Sequence, residues 1–452
     1  MLSAATRLHE RVAAAGCSQV EVFCKRSRSR TTRLEGSPAV SPRDSPAGSP
    51  TGSRPVRHEA NSAEQGWAVR AGGEPGSFFA AATGPPEAAP SDWPPASGGP
   101  LRLRSEEAGA GAAAAPRPRS LDEPLLGPGE TSTLLETIRR ELQREAPGAR
   151  LVRCVVEDGA AECCLVSSEL EVREWRLRTA ALLVEAALGD LMSRLYVAAP
   201  FARELRAQAV ARRVASSLLL DREAGRFDRD RCEVVLAPQV GGRLLSLLWR
   251  ELGQLARQGA LSGVDPCVTL LEDARLDSGP LRAAYDGEGR RCGRTVLVRD
   301  GVLLDAAAAL WPAPVGDRSD PGFPAGWSQR PSWRQPPTFA PTHLCIAPAP
   351  RTAPAALVGS VVRGIYLVRI DHVAPIPPSG SDPRQPSHRL LASGYEIRRG
   401  RAVRPVRAVG LEIGLAQLLE AVRAVGRDLE LVPARAGCFG APTLLLERMP
   451  LG

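Results

Sequence analysis

The sequence predicts an α+β protein, in which a smaller N-terminal α/β domain is followed by a larger, β-rich C-terminal domain. The chain has 452 residues, which is longer than a single hydrophobic core usually supports. Strand-like alternation dominates its last third, and helical spacing recurs only in isolated stretches. The predicted boundaries are an N-terminal segment at 1–83, a Pro/Gly/Ala-rich linker or insertion at 84–130, middle strands with a long helix at 131–228, and the C-terminal domain at 229–452.

The N-terminal segment contains one predicted helix and three predicted strands. Residues 5–15 have helical spacing, and 20–26 alternate, which places Val20, Val22 and Cys24 on one face. A Ser-Pro repeat near 36–62 is typical of a disordered insertion, because such tracts bury too little apolar surface to fold. GWAVRA at 66–71 then resumes the strand pattern, and SFFAAAT at 77–83 is its expected hairpin partner.

In the middle segment, the sequence predicts one helix before and one helix after an antiparallel meander. Apolar residues at helical spacing indicate a helix over 132–145. Three or four strands are expected between 150 and 186, with the acidic, glycine-containing stretch VEDGAAE at 156–162 as a hairpin turn. A long helix is expected over about 200–220, because Pro200 is well tolerated in the first helical turn.

The C-terminal domain is predicted to open with a strand at Cys232 and a helix that follows it. Its later part suggests a hairpin at 294–305, where Asp300-Gly301 tolerates positive φ. One further helix is expected at 413–425 among strands. In the helix after Cys232, four leucines at helical spacing indicate a packed face: Leu244, Leu248, Leu252 and Leu255.

Composition argues against several classes of protein. The net charge is +8, and 57 of the 58 basic residues are arginine, but they alternate with acidic residues and accompany no nucleic-acid-binding motif, so no nucleic acid is expected. No apolar run approaches the roughly 20 residues needed to cross a bilayer. We therefore expect a cytoplasmic protein without membrane contact. The ten cysteines form no pair with metal-knuckle spacing and are expected to be buried thiols.

Seven blocks of the C-terminal half carry a family resemblance. They are VVLAPQVGGRLLSLL, YDGEGRRCGRTVLVRDGVLLD, RPSWRQPPTFAPTHLCIAP, VVRGIYLVR, DPRQPSHRLLASGYEIRRGRAVRPVRAV, VGRDLELV and GAPTLLLE. Their order and spacing resemble the TldD/PmbA family of modulators of peptide processing. The N-terminal half resembles that family more loosely, through the EVF and GWAVR strands and the segment FARELRAQAVARRVASSLLL.

The resemblance implies a metallopeptidase fold, but this chain lacks the motif that holds the metal. Active members carry HExxxH on the helix after the VVL strand, where two histidines bind zinc and the glutamate serves as base. Counting without gaps, those positions are Ser246, Leu247 and Glu251. Serine is a poor zinc ligand and leucine cannot accept a proton. We therefore expect this helix to serve in packing, with Arg243, Arg250 and Glu251 facing solvent or a partner. No catalytic or metal-binding residue is expected in this chain.

In lacking this motif, the chain resembles the PmbA type of the family, also called TldE, whose members pair with the active type. The resemblance then implies a dimer with a TldD-like subunit or with a second copy, and a peptide or unfolded polypeptide as substrate. No cofactor is expected in this chain, and zinc would belong to a partner subunit. One departure concerns RQPSHRL after Asp382-Pro383, a loop that adjoins the peptide cavity in the family.

Two alternatives remain open from the sequence. The first is an active metallopeptidase whose zinc is held by a rearranged set drawn from His343, His372, His388 and Cys438, with Cys345 two positions beyond His343. The second is a structural or regulatory binding protein that has lost catalysis. A serine hydrolase and a phosphate-binding loop have no support, since neither GxSxG nor GK[ST] is present.

Overall fold

The computed structural model describes residues 1–35, 56–72, 77–89, 103, 124–308, 326–377 and 382–452. In chain order, the longer elements of the N-terminal half are α1 (Leu2–Ala14), β1 (Gln19–Glu35), β2 (Val56–Gly72), β3 (Ser77–Thr83), α2 (Pro128–Glu145), β4 (Arg150–Ser167), β5 (Arg173–Leu188), β6 (Leu191–Ala199) and α3 (Ala207–Glu223). The expected mixture of helices and sheets is confirmed.

The six N-terminal strands form one antiparallel sheet in the order β3-β2-β1-β4-β5-β6. Strand β1 lies between β2 and β4, so the segments 1–83 and 131–228 build a single sheet. The hairpin of β2 and β3 is confirmed, with Gly66 opposite Thr83 and Gly72 opposite Ser77.

The two faces of this sheet have different coverings. Val20, Val22 and Cys24 of β1 pack against α1, as their alternation predicts. Helices α2 and α3 cover the same face further along, over β4 and β5. The opposite face, which carries Phe23 and Trp175, is directed at the C-terminal half. This face supplies one wall of the site described below.

The predicted turn at 156–162 is wrong, because these residues lie inside β4, which pairs with β1 and β5 along its length. The expected antiparallel meander is present, but two long strands, β4 and β5, replace the short strands expected over 150–186, and β6 follows them. Gly159 lies between Ser29 and Thr179 in the sheet. Asp158 is accommodated because Arg178 donates to its carboxylate over 3.1 Å while both side chains are buried.

Two other N-terminal predictions need correction. Strand β2 begins at Val56, so residues 56–62 are strand and do not belong to the insertion expected near 36–62. Residues 36–55 and most of 84–130 lie outside the described residues. Helix α3 begins at Ala207 and not near Pro200, because Arg206 adopts a φ of 45° that interrupts helical geometry.

The C-terminal half contains two larger sheets. Its elements are β7 (Gly225–Arg226), β8 (Arg231–Leu236), α4 (Pro238–Leu248), α5 (Leu252–Arg257), β9 (Leu270–Asp273), β10 (Arg294–Arg299), β11 (Val302–Leu303), α6 (Asp305–Ala308), β12 (Ser328–Gln329), β13 (Thr338–Phe339), β14 (His343–Ile346), α7 (Pro354–Ser360), β15 (Arg363–Pro375), β16 (His388–Arg398), β17 (Arg401–Ile413), α8 (Leu415–Ala421), β18 (Val422–Val425), β19 (Glu430–Ala434), β20 (Gly437–Ala441) and β21 (Leu444–Pro450).

One sheet has the order β11-β10-β9-β14-β20-β19 and the other β18-β21-β8-β15-β16-β17-β7. Helices α4 and α5 lie in the core that the two sheets share. The predicted leucine face is confirmed, since Leu244, Leu248, Leu252 and Leu255 are all buried. In the described ranges, no helix is long and apolar enough to cross a membrane.

The predicted hairpin at 294–305 is confirmed, with φ values of 48° at Asp300 and 79° at Gly301. The helix expected over 413–425 is shorter. It ends at Ala421, because 422–425 pair with β21 as strand β18.

Candidate functional site

A cavity of about 820 Å³ lies between the N-terminal sheet and the loops of the C-terminal half. Its sheet wall begins on β1, where Phe23, Lys25, Ser27 and Ser29 alternate and therefore share one face. Six residue-to-residue steps lead from the first to the last, which corresponds to about 20 Å of strand. The wall is thus long enough to accompany a short extended chain.

Small residues of β4 and β5 make the middle of this wall. Gly159, Ala161 and Thr179 lie side by side with Ser27 and Ser29. Larger side chains would fill the space that these residues leave. The unusual composition of 156–162, which suggested a turn, is therefore the composition of a cavity wall.

The opposite wall comes from three loops of the C-terminal half, at 280–287, 329–342 and 434–437. His343 holds the first of these loops in place. Its Nδ1 lies 2.9 Å from the carbonyl oxygen of Asp273, and the backbone N–H of Leu281 lies 3.1 Å from Nε2. Burial lowers the pKa of His343 to about 4, so the ring is neutral and both nitrogens have backbone partners.

An aromatic cluster joins the two walls at one end. The rings of Phe23 and Trp175 are 6.0 Å apart, and those of Trp175 and Tyr285 are 5.8 Å apart. Trp333 belongs to the same cluster and lies directly against Gly66, where an added Cβ would be 2.0 Å from its ring. A glycine at position 66 is thus required for the two halves of the chain to meet.

A buried network of charges crosses the same junction. Glu21 of β1 accepts hydrogen bonds from Arg330 over 2.5 Å and from Arg70 over 2.7 Å, and Arg70 also contacts Glu288. Burial alone would raise the pKa of Glu21, but the two guanidinium groups outweigh it and lower that pKa. The network continues through Arg290, which contacts Glu288.

Next to this network, two buried carboxyl groups keep raised pKa values. Burial raises the pKa of Asp286, which lines the cavity, to about 6, and that of Glu272 to about 8. One oxygen of Glu272 accepts from the backbone N–H of Thr342, and within the described structure the other oxygen has no hydrogen-bond partner. At neutral pH, Glu272 therefore retains its proton.

The side chains at the three metal-motif positions do not fit a zinc ion. Ser246 donates its hydroxyl to the carbonyl of Arg243 in its own helix, and Leu247 has no donor atom. Glu251 accepts from the hydroxyl of Ser387 over 2.5 Å and from the backbone N–H of Leu415 over 2.7 Å. A zinc site needs nitrogen, sulfur or carboxylate ligands at nearly every position, and this helix offers one carboxylate that is already engaged.

The prediction that Glu251 faces solvent is therefore wrong, although Arg243 and Arg250 are exposed as expected. The helix also changes register here, because a short 3₁₀ turn at Trp249–Glu251 separates α4 from α5. Burial raises the pKa of Glu251, while its two hydrogen bonds act in the opposite direction. Its role is to cap α8 and to hold the loop that precedes β16.

The loop containing RQPSHRL does not line this cavity. Residues 382–388 lie against α8 instead. Arg384 contacts Glu420 over 2.8 Å, and Ser387 lies between Glu251 and the Nδ1 of His388.

The candidate ligands of a rearranged metal site are divided between two sheets. His343 and Cys438 are paired positions on β14 and β20, whereas His372 and His388 lie on β15 and β16. Burial raises the pKa of the Cys438 thiol to about 12, so it is protonated. Within the ranges that the structure describes, no three His, Cys, Asp or Glu side chains are grouped so that they could hold a metal ion.

Sequence reasoning missed the cavity and its basic lining residues Lys25, Arg250, Arg282 and Arg435. The signal on β1 was visible: the alternation in KRSRSRTTR places Ser27 and Ser29 on one face, as in a strand at a polar cavity, and the arginines between them on the other. Arg250, Arg282 and Arg435 come from loops and from the end of a helix, and no sequence pattern connects them to β1.

Residues 229–452, about half of the chain, match the family described as the PmbA/TldA metallopeptidase C-terminal domain. No curated protein is similar enough in sequence to count as a match. Among solved structures, TldE from Thermococcus kodakarensis is 13% identical, with 99% of this chain and 100% of that chain covered at a TM-score of 0.76.

Two further structures, described as candidate modulators of DNA gyrase, also share the fold. The protein from Thermotoga maritima is 13% identical, with 100% of this chain and 99% of that chain covered at a TM-score of 0.72. The protein from Bacteroides thetaiotaomicron is 14% identical, with 100% and 98% covered at a TM-score of 0.67. The C-terminal match, together with a fold shared over the full length, shows that this chain belongs to the PmbA/TldD metallopeptidase family.

Proposed function

We propose that this chain is a PmbA-type subunit of a peptide-processing assembly and does not hydrolyse peptides by itself. In this proposal it supplies half of a chamber that holds an extended peptide, and a separate TldD-like subunit carries out hydrolysis. The observation that carries the proposal is the set of side chains at Ser246, Leu247 and Glu251, which do not fit zinc in a chain of a metallopeptidase family.

The cavity supports the peptide-holding part of the proposal. Its wall on β1 is about 20 Å long and combines hydroxyl side chains with an aromatic end. The hydroxyl groups of Ser27, Ser29 and Thr179 can bond to main-chain groups of an extended peptide, and Phe23 and Trp175 can contact an apolar residue. The chain's own contribution is therefore to bind and align the peptide.

The test combines this chain with a TldD-like subunit from the same organism. Each protein is purified alone and together, and cleavage of an internally quenched peptide is followed with zinc supplied. We expect cleavage only when the TldD-like subunit is present, and a higher rate or altered cleavage sites when both are present. Light scattering establishes whether the two proteins form a mixed dimer or this chain pairs with a second copy.

Elemental mass spectrometry of this chain alone provides the matching control. Zinc well below one ion per chain is expected after expression with zinc and purification without chelators. One zinc ion per chain that is lost in the His343→Ala or Cys438→Ser variant, accompanied by cleavage without any partner, would refute the proposal and favour the rearranged metal site.

A further inference from the structure

The cavity between the two halves of the chain has a strongly uneven charge. In the described structure, seven basic residues and a single acidic residue, Asp286, contribute atoms to its lining. The seven are Lys25, Arg28, Arg178, Arg250, Arg282, Arg330 and Arg435. Lys25 is also the only lysine of the chain.

Three of these cations are neutralised by carboxylates of the chain itself. Arg178 pairs with Asp158, Arg330 with Glu21, and Arg282 with Asp277. The Asp286 carboxylate likewise has its own partner in Arg290, at 3.2 Å. These pairs stabilise the walls and leave no charge for a ligand.

Arg28 alternates with Ser27 and Ser29 and so has its side chain on the other face of β1, where Arg26, through its hydrogen bond, and the charge of Arg28 lower the pKa of Glu162. The remaining three cations have no carboxylate partner within the described residues. Lys25 donates to the carbonyl oxygen of Pro331 over 2.6 Å, and the guanidinium of Arg250 lies 5.1 Å from the centre of the Trp249 ring. Arg435 is exposed on the wall opposite β1. Neither a carbonyl nor an aromatic ring cancels a positive charge, so three cations of the cavity remain uncompensated.

We propose that the cavity selects acidic peptide segments, whose carboxylates pair with Lys25, Arg250 and Arg435. This inference rests on the proposed function and specifies its substrate class. Charges of one sign inside a cleft concentrate ligands of the opposite sign and orient them as they enter. Because Lys25 lies on β1 while Arg250 and Arg435 lie on the opposite side, an acidic segment would be held from both walls.

The lining favours a peptide over a nucleic acid. The aromatic side chains Phe23, Trp175 and Tyr285 pack against one another in tilted pairs, so they do not form an open row on which bases could stack. The hydroxyl groups of Ser27 and Ser29 suit the main chain of an extended peptide instead.

The test measures binding of three hexapeptides to the full-length chain by fluorescence anisotropy, each with a neutral BODIPY label. The sequences are Gly-Glu-Ala-Glu-Gly-Glu, the same peptide with glutamine for glutamate, and the same with lysine for glutamate. We expect the acidic peptide to bind at least tenfold more tightly than the glutamine peptide. This advantage should shrink when NaCl is raised from 50 to 500 mM, because salt screens exposed charges.

Arg250→Gln and Arg435→Gln should each weaken binding of the acidic peptide about two- to fivefold, with little effect on the glutamine peptide. The matched controls are Arg401→Gln and Arg407→Gln, which remove exposed arginines of β17 that do not line the cavity. They should leave both affinities unchanged. Loss of affinity in the controls to the same extent would overturn the assignment of the site.

The remaining outcomes separate the inference from the proposed function. Equal binding of the acidic and glutamine peptides would overturn the inference and leave the peptide-holding role intact. Binding of no peptide would overturn both. Tighter binding of a labelled hexathymidylate than of the acidic peptide would replace the peptide with nucleic acid as the ligand of the cavity.

Discussion

Removal of the Arg330 guanidinium should destabilise the junction between the two halves of the chain. Arg330 and Glu21 are each only 2% exposed, and Arg330 also lies 4.6 Å from the centre of the Phe23 ring. An Arg330→Met variant fills similar space without the charge and leaves Glu21 buried with Arg70 as its remaining partner. The perturbation therefore tests the buried network and one wall of the cavity together.

The expected magnitude follows from the burial of the pair. Breaking a buried ion pair by removing one partner costs about 3–5 kcal/mol, mostly because a charge is left without compensation. Since Arg70 still contacts Glu21, we expect about 3 kcal/mol, the lower end of that range. The matched control is Arg26→Met, whose pair with Glu162 is 61% and 39% exposed and should contribute at most about 1 kcal/mol.

Urea unfolding followed by tryptophan fluorescence compares the variants, and hydrogen exchange shows where protection is lost. Faster exchange is expected in β1 and in 326–340, the segments that the network connects. The double variant Glu21→Gln with Arg330→Met should be less destabilised than the two single losses predict together, because it leaves no unpaired charge. If Arg330→Met costs no more than Arg26→Met, or if the double variant is additive, the reasoning about the network is refuted.

Three further predictions concern single side chains. Gly66→Ala would place a Cβ 2.0 Å from the tryptophan ring packed on it and should destabilise the chain by about 1–3 kcal/mol in urea unfolding. In the control Gly129→Ala, the added Cβ has no neighbouring atom within 4 Å, so this change in α2 should be neutral or stabilising. An unchanged stability of Gly66→Ala would contradict the packing. Burial raises the pKa of Glu272 to about 8 from an ordinary 4.5, so the folded chain keeps a proton that the unfolded chain loses, and stability falls as pH rises between these values. Glu272→Gln should remove this dependence and be about 4 kcal/mol more stable than the parent at pH 8. Parallel unfolding curves from pH 5 to 8 would argue against a buried neutral acid. Glu251→Ala removes two hydrogen-bond acceptors and should speed trypsin cleavage within 382–388 several-fold, whereas unchanged cleavage would show that the loop is held by other contacts.

Much of the local structure could be predicted because its causes are local. The hairpin at Asp300-Gly301 depends on two residues that tolerate positive φ, and the alternation of Val20, Val22 and Cys24 specifies a face whatever covers it. The wrong predictions involve residues whose partners are distant in sequence. Asp158 and Gly159 suggest a turn until β1 and β5 are known to lie on either side of them.

The sequence by itself determined the family, through the order of its C-terminal blocks, and it determined the chemistry that Ser246 and Leu247 cannot perform. Neither conclusion requires knowledge of contacts, because zinc ligation depends first on which atoms a side chain carries. Only the tertiary structure decided that Glu251 caps a helix, that His343 holds a loop, and that the candidate ligands lie on separate sheets. It also decided the charge of the cavity, because whether an arginine there is available to a ligand depends on carboxylates that lie far away in the sequence.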